Sequence, residues 1–291
     1  MKASIIIPVH NRREITLRSL RSLKEASLSS DFGIIVVDDG STDGTAEAIA
    51  AEFPQVRVVV GDGELYWTGG IRSGMQQALL EGAGYLFWLN DDCLLLKGTL
   101  EQMLKYLCEN PRTVCGTACF IREGGRPVQT AFRGRSPVSP DEEVTEVDGM
   151  SGYCVGMPAS LCEEIGLPDA ERMPHYGADN IYTLLAKRKG YRVVLLRSAK
   201  AILLDETPTP SIGQRARLSK ESLGGFLVKT FFRKKSPYFL KGQYWYHRYK
   251  YGGVLGSVLF LLKVWNWVSI AAFHLAARLR PVRPSAPFQT S

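Results

Sequence analysis

The first half of the chain alternates short apolar runs with amphipathic segments. Nearly continuous apolar runs indicate strands buried on both faces, and apolar positions at helical spacing indicate helices packed against them. The predicted strands span residues 4–9, 33–37, 56–60 and 85–89, and the predicted helices span 12–28 (Arg12 to Leu28), 45–53, 71–81 and 98–109. This alternation predicts an α/β fold, with a mostly parallel, Rossmann-like sheet flanked by helices.

The pattern is less regular in the second half. Residues 122–148 are polar and rich in glycine, proline and charge, which predicts an exposed insertion or hairpin. Further strands are expected near 153–155 and at 191–196, and helices at 158–165 and 179–189. The composition changes after Pro208-Thr209-Pro210, so we predict a catalytic-type domain over 1–210 and a basic, aromatic, helical region over 211–291.

The net charge also differs between the first and the last part of the chain. Residues 187–291 hold 20 Lys and Arg but 3 acids, whereas residues 1–186 carry a net charge of −10, within an overall +7. A basic rear favours contact with an anionic surface, and an acidic front favours cation handling. The start of the chain lacks the pattern of a secretory signal, and none of the six cysteines has C-x-x-C spacing. We therefore expect free thiols in a reducing cytoplasm.

The apolar stretch Val254 to Ala277 approaches the length of a membrane span. Lys263, Asn266 and His274 interrupt it, and Trp265 and Trp267 flank the lysine, which favours a helix lying in a membrane interface. A helix packed on the catalytic domain and a true span are the alternatives.

Acidic residues follow two of the predicted strands. Asp38-Asp39 and Asn90-Asp91-Asp92 lie where strand ends open onto the ligand crevice of such a sheet. Adjacent carboxylates repel each other, and a divalent cation on a diphosphate needs one or two of them, which favours a divalent cation such as Mg²⁺ or Mn²⁺ at Asn90-Asp91-Asp92. Asp38-Asp39 would bind a base or ribose. A helix cap or turn is the structural alternative for both pairs.

Two further segments carry candidate chemistry. Gly61-Asp62-Gly63 and Thr68-Gly69-Gly70 predict a glycine-rich loop that would approach a diphosphate with its backbone N–H groups, or a flexible turn. Asp179 opens a helix as a general base or as its N-cap, and His175 would contact metal or diphosphate, or cap a loop. Neither a P-loop, nor a G-x-G-x-x-G after a strand, nor a nucleophile elbow is present in the sequence.

Taken in order, these segments resemble family 2 glycosyltransferases of the GT-A fold, in particular bacterial enzymes of surface-polysaccharide assembly, including rhamnosyltransferases. The resemblance covers about residues 3–200. Asn90-Asp91-Asp92 stands at the D-x-D position and His175-Tyr176-Gly177-Ala178-Asp179 at the segment of the catalytic base. Two departures are Asn90 in place of the first D-x-D acid, and Ala178-Asp179-Asn180-Ile181-Tyr182 in place of E-D-x-D-L.

The resemblance implies a role for each matched residue. Asp179 is the expected catalytic base, and Asp92, with His175 as a weaker candidate, is the expected metal ligand. The expected nucleotide and donor residues are Pro8, His10, Asn11, Arg12, Asp38, Asp39, Gly69, Gly70, Arg72, Asn90 and Asp91. The expected acceptor-side residues are Trp67, Gly152, Tyr153 and Tyr176.

The sequence therefore predicts an inverting transfer of a sugar from a UDP-, dTDP- or GDP-sugar to a hydroxyl of a glycan or lipid-linked glycan. We expect a divalent cation as cofactor, contact with an anionic membrane surface at the inner face of the cell membrane, and no nucleic acid. A nucleotidyltransferase with a similar sheet and metal site is the enzyme alternative. A non-catalytic membrane or nucleic-acid binding module is the other alternative, and it leaves the acid pairs unexplained.

Overall fold

A computed structural model describes residues 2–25, 31–204 and 209–278, with side chains to residue 274. The chain forms two compact units, Met1–Thr207 and Pro208–Ser291. Two predicted features lie outside the described backbone, namely the end of the first helix at Leu28 and residues 205–208 near the domain boundary. The side chain of Ala277, at the end of the apolar stretch, is also outside the described part.

The first unit combines a central sheet with flanking helices. Its strands are β1 (Ala3–Val9), β2 (Phe32–Asp38), β3 (Arg57–Val60), β4 (Tyr85–Leu89), β5 (Cys93–Leu95), β6 (Thr113–Phe120), β7 (Ala131–Arg133), β8 (Ser136–Val138), β9 (Val144–Glu146), β10 (Gly149–Met150), β11 (Cys154–Pro158) and β12 (Arg192–Leu203). Its helices are α1 (Arg13–Glu25), α2 (Thr45–Glu52), α3 (Tyr66–Leu80), α4 (Thr99–Glu109), α5 (Ser160–Ile165) and α6 (Ala178–Arg188).

The main sheet has the strand order β3-β2-β1-β4-β11-β6-β12-β5 in the described residues, with β9 also pairing β12. Strands β3, β2, β1 and β4 run parallel, β11 is antiparallel to both its neighbours, and β6 and β12 are parallel to each other. Two buried apolar clusters, centred on Ile7 and Phe87 and on Ile6 and Trp88, cover the sheet. This mostly parallel sheet with helices on both faces confirms the predicted fold class.

Several elements differ from the sequence predictions. Strand β6 was not predicted because its small residues, among them Gly116 and Cys119, weaken the strand pattern of a segment that is almost wholly buried. Strand β12 continues seven residues beyond its predicted end at 196. Helix α3 begins at Tyr66 and not at Ile71, so the sequence Thr68-Gly69-Gly70 is helical and not a loop.

Close packing explains why glycine is tolerated inside α3. A Cβ on Gly70 would lie 2.9 Å from the Cβ of Pro8, and one on Gly74 would lie 2.2 Å from Cγ2 of Ile6. Both contacts are with β1, so the missing side chains let the helix lie directly on the sheet. The packing energy outweighs the cost of about 1 kcal/mol per glycine in a helix interior.

The polar stretch 122–148 contains short antiparallel strands. Strands β10, β7 and β8 form a separate three-stranded sheet, and β9 joins the main sheet beside β12. The side chain of Lys187 donates to Asp148 at 2.6 Å and to the carbonyl of Val147 at 2.8 Å, which fixes this stretch to α6.

The second unit is helical in its described part. Its helices are α7 (Ile212–Leu218), α8 (Leu223–Leu227), a π-helical turn (Val228–Phe232), α9 (Leu240–Tyr251) and α10 (Gly253–Arg278). Their small core contains Ile212, Ala216, Phe226, Phe231, Trp267 and Ala271. By length and composition, Gly253–His274 could cross a membrane.

Candidate active site

The polar ends of three parallel strands meet at one edge of the main sheet. Strand β1 ends at Val9, β2 at Asp38 and β4 at Leu89, and β1 pairs in parallel register with both others. The segments that follow, residues 10–12, 38–39 and 90–92, are therefore neighbours. This edge is where open α/β sheets bind ligands, and the sequence prediction that both acid pairs share it agrees with the geometry.

The carboxylate of Asp39 organises the loop that leads into α3. Its Oδ1 accepts the backbone N–H groups of Gly63 at 2.8 Å and Leu65 at 3.1 Å, and its Oδ2 accepts that of Tyr66 at 2.9 Å. Asp39 is buried, with 6% of its surface exposed. Three N–H donors satisfy much of a buried carboxylate, so Asp39 shapes this loop, and its direct contact with a nucleotide stays a prediction.

Asp38 and the segment after β1 hold the neighbouring turn. Oδ1 of Asp38 accepts the N–H of Ser41 at 3.0 Å, and the Asn11 side chain accepts that of Thr42 at 2.7 Å. His10 Nδ1 lies 2.6 Å from the carbonyl oxygen of Asp39. Since a carbonyl can only accept, Nδ1 carries the proton, and Nε2 accepts from the amide of Asn11 at 3.1 Å.

The guanidinium of Arg12 bridges the acid pair at the end of β4. It lies 2.9 Å from Oδ1 of Asp91 and 3.2 Å from Oδ2 of Asp92. Asp91 is 3% exposed, and burial raises its pKa to about 6 despite the opposing charge of Arg12. Thr16, four residues after Arg12, donates to Oδ2 of Asp91 at 3.4 Å. The segment turns from β4 into β5, so the expected alternative of a cap before a helix is wrong.

Trp67 connects the predicted donor-side segment after β4 to the segments predicted to lie on the acceptor side. Its indole Nε1–H donates to Oδ1 of Asn90 at 2.8 Å, and its backbone N–H donates to Nδ1 of His175 at 3.4 Å. The N–H of Asn90 in turn donates to the carbonyl of Tyr153 at 2.9 Å. Burial raises the pKa of the Tyr153 phenol to about 12, so Tyr153 stays protonated at neutral pH.

Asp179 lies in the first turn of α6 and faces the glycine of the β10–β11 segment. Its Oδ2 accepts the N–H of Gly152 at 2.8 Å, and its Oδ1 accepts the backbone N–H of Asn180 at 2.7 Å and its side-chain amide at 3.0 Å. Burial raises the pKa of Asp179 against these hydrogen bonds. The N-cap of α6 is Gly177, without a side-chain cap, so the alternative of Asp179 as N-cap is wrong.

Gly152 lies between Trp67 and Asp179 and packs closely against both. A Cβ at this position would lie 2.5 Å from Cζ2 of Trp67 and 3.2 Å from the Cβ of Asp179. Residues from β4, α3, the β10–β11 segment and α6 thus meet around one indole ring. The geometry joins the predicted acceptor-side residues Trp67, Gly152 and Tyr153 to the predicted base.

Other predicted site residues lie further from this cluster. Arg72 is exposed on α3 and donates to the carbonyl of Pro168 at 3.3 Å. Gly69 and Gly70 are buried in the same helix, where a Cβ on Gly69 would lie 3.1 Å from the Cβ of Leu65. Tyr176 is 43% exposed, and its ring packs edge-on against that of His175 with centroids 4.7 Å apart.

Asp91 and Asp92 match the carboxylate ligands that a protein contributes to a cation site. One or two carboxylates suffice for Mg²⁺ on a diphosphate, and the side chain of Asp92 is 19% exposed beside the buried Asp91. Within residues 2–25, 31–204 and 209–278, no cluster of three or more His, Cys, Asp or Glu side chains could hold a metal alone. His175 is engaged by Trp67, and its predicted role as a ligand stays a prediction.

Two supporting residues were missed by sequence reasoning. Thr16 follows Arg12 by one helical turn, and this spacing is the signal that could have placed both beside Asp91. The sequence shows that Asp179 lacks the acidic neighbours of the family pattern, but it does not show the role of Asn180. The side-chain amide of Asn180 donates to the carboxylate of Asp179. Asn180 adjoins Asp179 in the chain, and helical spacing places Thr16 beside Arg12, which contacts Asp91.

Sequence comparison identifies the family. The model described as "Glycosyl transferase family 2" matches residues 4–166. An uncharacterized glycosyltransferase, YfnE, of Bacillus subtilis is 35% identical over 121 residues, which is 40% of this chain and 30% of YfnE. The GalNAc(5)-diNAcBac-PP-undecaprenol beta-1,3-glucosyltransferase of Campylobacter jejuni is 25% identical over 151 residues, 50% of this chain and 47% of that enzyme. The chain thus spans less than half the length of either relative.

Solved structures share the fold. The crystal structure of TarS residues 1–349 from S. aureus aligns with a TM-score of 0.60 and 15% identity over 96% of this chain and 91% of the other. The mannosyltransferase PcManGT from Pyrobaculum calidifontis, solved with GDP-Man and Mn²⁺, aligns with a TM-score of 0.54 and 16% identity over 96% and 86%. The chain belongs to glycosyl transferase family 2, which confirms the family resemblance.

Proposed function

We propose that this family 2 glycosyltransferase carries out an inverting transfer of a sugar from a nucleoside diphosphate-sugar to a hydroxyl of a cell-surface glycan or its lipid-linked precursor. The single observation that carries the proposal is the cluster around Trp67. It places Asp179, held by Gly152 and Asn180, in the same group of contacts as Asn90 of the β4 turn. A base and a donor-side turn must be close together for a direct displacement.

Asp179 is the proposed general base. It accepts the proton of the acceptor hydroxyl while that oxygen attacks the anomeric carbon of the donor sugar. The bond from this carbon to the diphosphate breaks as the new glycosidic bond forms on the opposite face, and the nucleoside diphosphate leaves. The pKa of Asp179, raised by burial, brings the carboxylate closer to the basicity that proton transfer at neutral pH requires.

The donor would bind along the edge formed by residues 10–12, 38–41 and 90–92. Asp92 would hold Mg²⁺ or Mn²⁺, and such a cation supplies Lewis-acid stabilisation of the leaving diphosphate. UDP-, dTDP- and GDP-sugars are the candidate donors. The solved complexes of the fold neighbours contain UDP-GlcNAc in TarS and GDP-Man with Mn²⁺ in PcManGT, which supports this class of donor.

The acceptor would be a glycan or lipid-linked glycan on the cytoplasmic side of the cell membrane. The name of the C. jejuni relative describes a polyprenyl-diphosphate-linked glycan as substrate, and this supports the lipid-linked form. Trp67 and Tyr153 would contact the acceptor, since they belong to the cluster that contains Asp179. The exposed Tyr176 would contact a more distant part of the acceptor.

The first experiment is calorimetry of the purified protein with UDP-, dTDP- and GDP-sugars, with and without Mn²⁺. We expect one donor to bind, more tightly with the metal in the wild type than in Asp92→Ala. Asp179→Asn should bind that donor nearly as the wild type does but lose transfer by at least about 10²-fold, the lower range of general-base catalysis.

Asp31→Asn is the matched control, because Asp31 is exposed and precedes β2 at the opposite edge of the sheet. It should leave binding and transfer unchanged. Comparable turnover by Asp179→Asn would remove Asp179 as the base. A product that retains the anomeric configuration of the donor, measured by NMR, would contradict the inverting mechanism.

A further inference from the structure

Helix α10 has one apolar face that the described structure leaves uncovered. Trp265 is 74% exposed and Leu261 is 65% exposed. With a turn of 3.6 residues, five exposed apolar residues fall within roughly 80° of one another around the helix. This exposed stripe consists of Val254, Val258, Leu261, Trp265 and Val268. Soluble proteins rarely leave such a continuous apolar surface open to water.

The opposite face of α10 is covered by its own unit. Trp267 and Ala271 are buried in the core with Ile212 and Phe231. Gly213 of α7 lies so close that a Cβ on it would be 2.9 Å from Nε2 of His274. A spanning helix of a single-span protein would be surrounded by lipid, whereas this helix packs against its own unit at Gly256, Trp267 and Ala271. The packing therefore favours an orientation in which the stripe meets an apolar phase, with the exposed Leu255, Leu262 and Phe273 at one side of it.

The charges of the unit agree with this orientation. Residues 209–278 contain 12 Lys and Arg and one acid, Glu221. Lys263 lies roughly 180° around the helix from Val254, and its Nζ lies 5.4 Å from the ring centroid of Trp267. With the stripe in an apolar phase, this ammonium stays on the aqueous side. In a spanning orientation the same charge would lie near the bilayer centre, where it is costly.

Aromatic rings on α9 add a second interfacial feature. The guanidinium of Arg248 lies 5.5 Å from the ring centroids of both Tyr244 and Trp245, and the ring of Tyr244 packs against that of Phe260 of α10 at 5.4 Å. Tyrosine and tryptophan beside cationic side chains are typical of the level at which lipid headgroups meet the acyl chains.

We propose that α10 lies in the plane of an anionic membrane surface, with the exposed stripe inserted among the acyl chains and the basic side chains of the unit at the headgroups. The alternative occupant, a second copy of this chain, would bring together two units that each carry twelve cations and one acid within residues 209–278, and this arrangement is electrostatically unfavourable. Anionic headgroups neutralise the same charges, and each cation near them strengthens binding. The inference concerns binding alone and does not depend on the proposed transfer reaction.

Vesicle flotation tests the surface directly. The probes are vesicles of phosphatidylcholine with 30% phosphatidylglycerol and vesicles of phosphatidylcholine alone. We expect binding to the anionic vesicles that weakens as NaCl rises from 0.05 to 0.5 M, and a loss on the order of tenfold or more in the double variant Leu261→Gln/Trp265→Gln. The matched control is Leu80→Gln, since Leu80 is 83% exposed at the end of α3 and should leave vesicle binding unchanged.

Depth-dependent quenching distinguishes the in-plane helix from a span. Trp265 stands near the middle of Gly253–His274, so a span would place it near the bilayer centre. Difference fluorescence between the wild type and Trp265→Gln should show stronger quenching by lipids brominated at carbons 6 and 7 than at carbons 11 and 12. Circular dichroism and donor binding of each variant verify that the fold is retained.

Three results would overturn the proposal. Wild-type-like binding by the double variant would exclude the stripe as the contact. Stronger quenching by the deeper bromines would make α10 a span. A dimer that the double variant converts to monomer, with no vesicle binding by the wild type, would assign the stripe to a second copy of the chain.

Discussion

A single methyl group added at Gly152 should disturb the candidate active site directly. In Gly152→Ala the new Cβ would lie 2.5 Å from Cζ2 and 2.7 Å from Cη2 of Trp67. Ordinary carbon contacts are about 3.5–4.0 Å, so the indole must move by about 1 Å. That movement pulls Nε1 away from Asn90, to which it donates at 2.8 Å.

The expected loss of folding stability follows from overpacking at this site. Inserting one carbon into a packed site costs about 1–3 kcal/mol, which lowers the melting temperature of a unit of this size by roughly 2–12 °C. Activity should fall further than stability, because a displacement of about 1 Å of catalytic groups can cost on the order of 10²-fold in rate. Differential scanning calorimetry and the rate of nucleoside diphosphate release measure the two effects.

Two variants test whether the steric account is right. Gly84→Ala is the control, because its Cβ would meet nothing closer than the Lys2 carbonyl at 3.8 Å. Trp67→Phe removes both atoms of the clash, so Gly152→Ala should cost less in that background than in the wild type. If Gly152→Ala matched Gly84→Ala in melting temperature and rate, or if Trp67→Phe gave no relief, the reasoning would fail.

Three further predictions concern stability, each measured by urea unfolding. Arg12→Gln should cost about 3 kcal/mol because it leaves the buried Asp91 without its counter-charge, while Arg13→Gln, whose partner Glu14 is exposed, should change little. Folding raises the pKa of Asp91 to about 6, so the stability it contributes below about pH 4 is lost as pH rises through 6. The wild type should lose up to about 3 kcal/mol relative to Asp91→Asn over that window, and parallel curves would contradict this. Ser211 caps α7 by accepting the N–H of Gln214, and Ser211→Ala should cost about 1 kcal/mol, whereas an unchanged midpoint would show that the cap contributes nothing.

The sequence alone predicted the structure correctly where the local pattern of apolar and polar residues determines it. Strands β1, β2 and β4 are short apolar runs that end in polar residues, and their parallel order follows from the intervening helices. Most helices and strands of the first 110 residues lie within two residues of their predicted bounds. Parallel strand ends share an edge, and so the neighbourhood of the two acid pairs was predictable without knowing any contact.

Pattern was insufficient where tertiary packing overrides propensity. Tyr66 adopts a φ of 55° and the helix continues through Thr68-Gly69-Gly70, a sequence that favours a loop. The helix persists because glycine at 70 and 74 lets it lie against Pro8 and Ile6 of β1. The contact of Gly152 with Trp67 likewise joins residues 85 positions apart, and no local signal specifies it.

The asparagine at the start of the D-x-D position has a physical explanation in these contacts. Asn90 accepts the indole N–H of Trp67 at 2.8 Å, a bond that an aspartate could also accept. A third carboxylate there would, however, join Asp91 and Asp92, which share the single guanidinium of Arg12. Neighbouring carboxylates disfavour each other's ionisation. Burial already raises the pKa of Asp91, so this carboxyl group is protonated more readily than usual. The amide supplies the acceptor that positions Trp67 without adding to this repulsion, so Asn90 keeps the contact with Trp67 while Asp92 stays the predicted cation ligand.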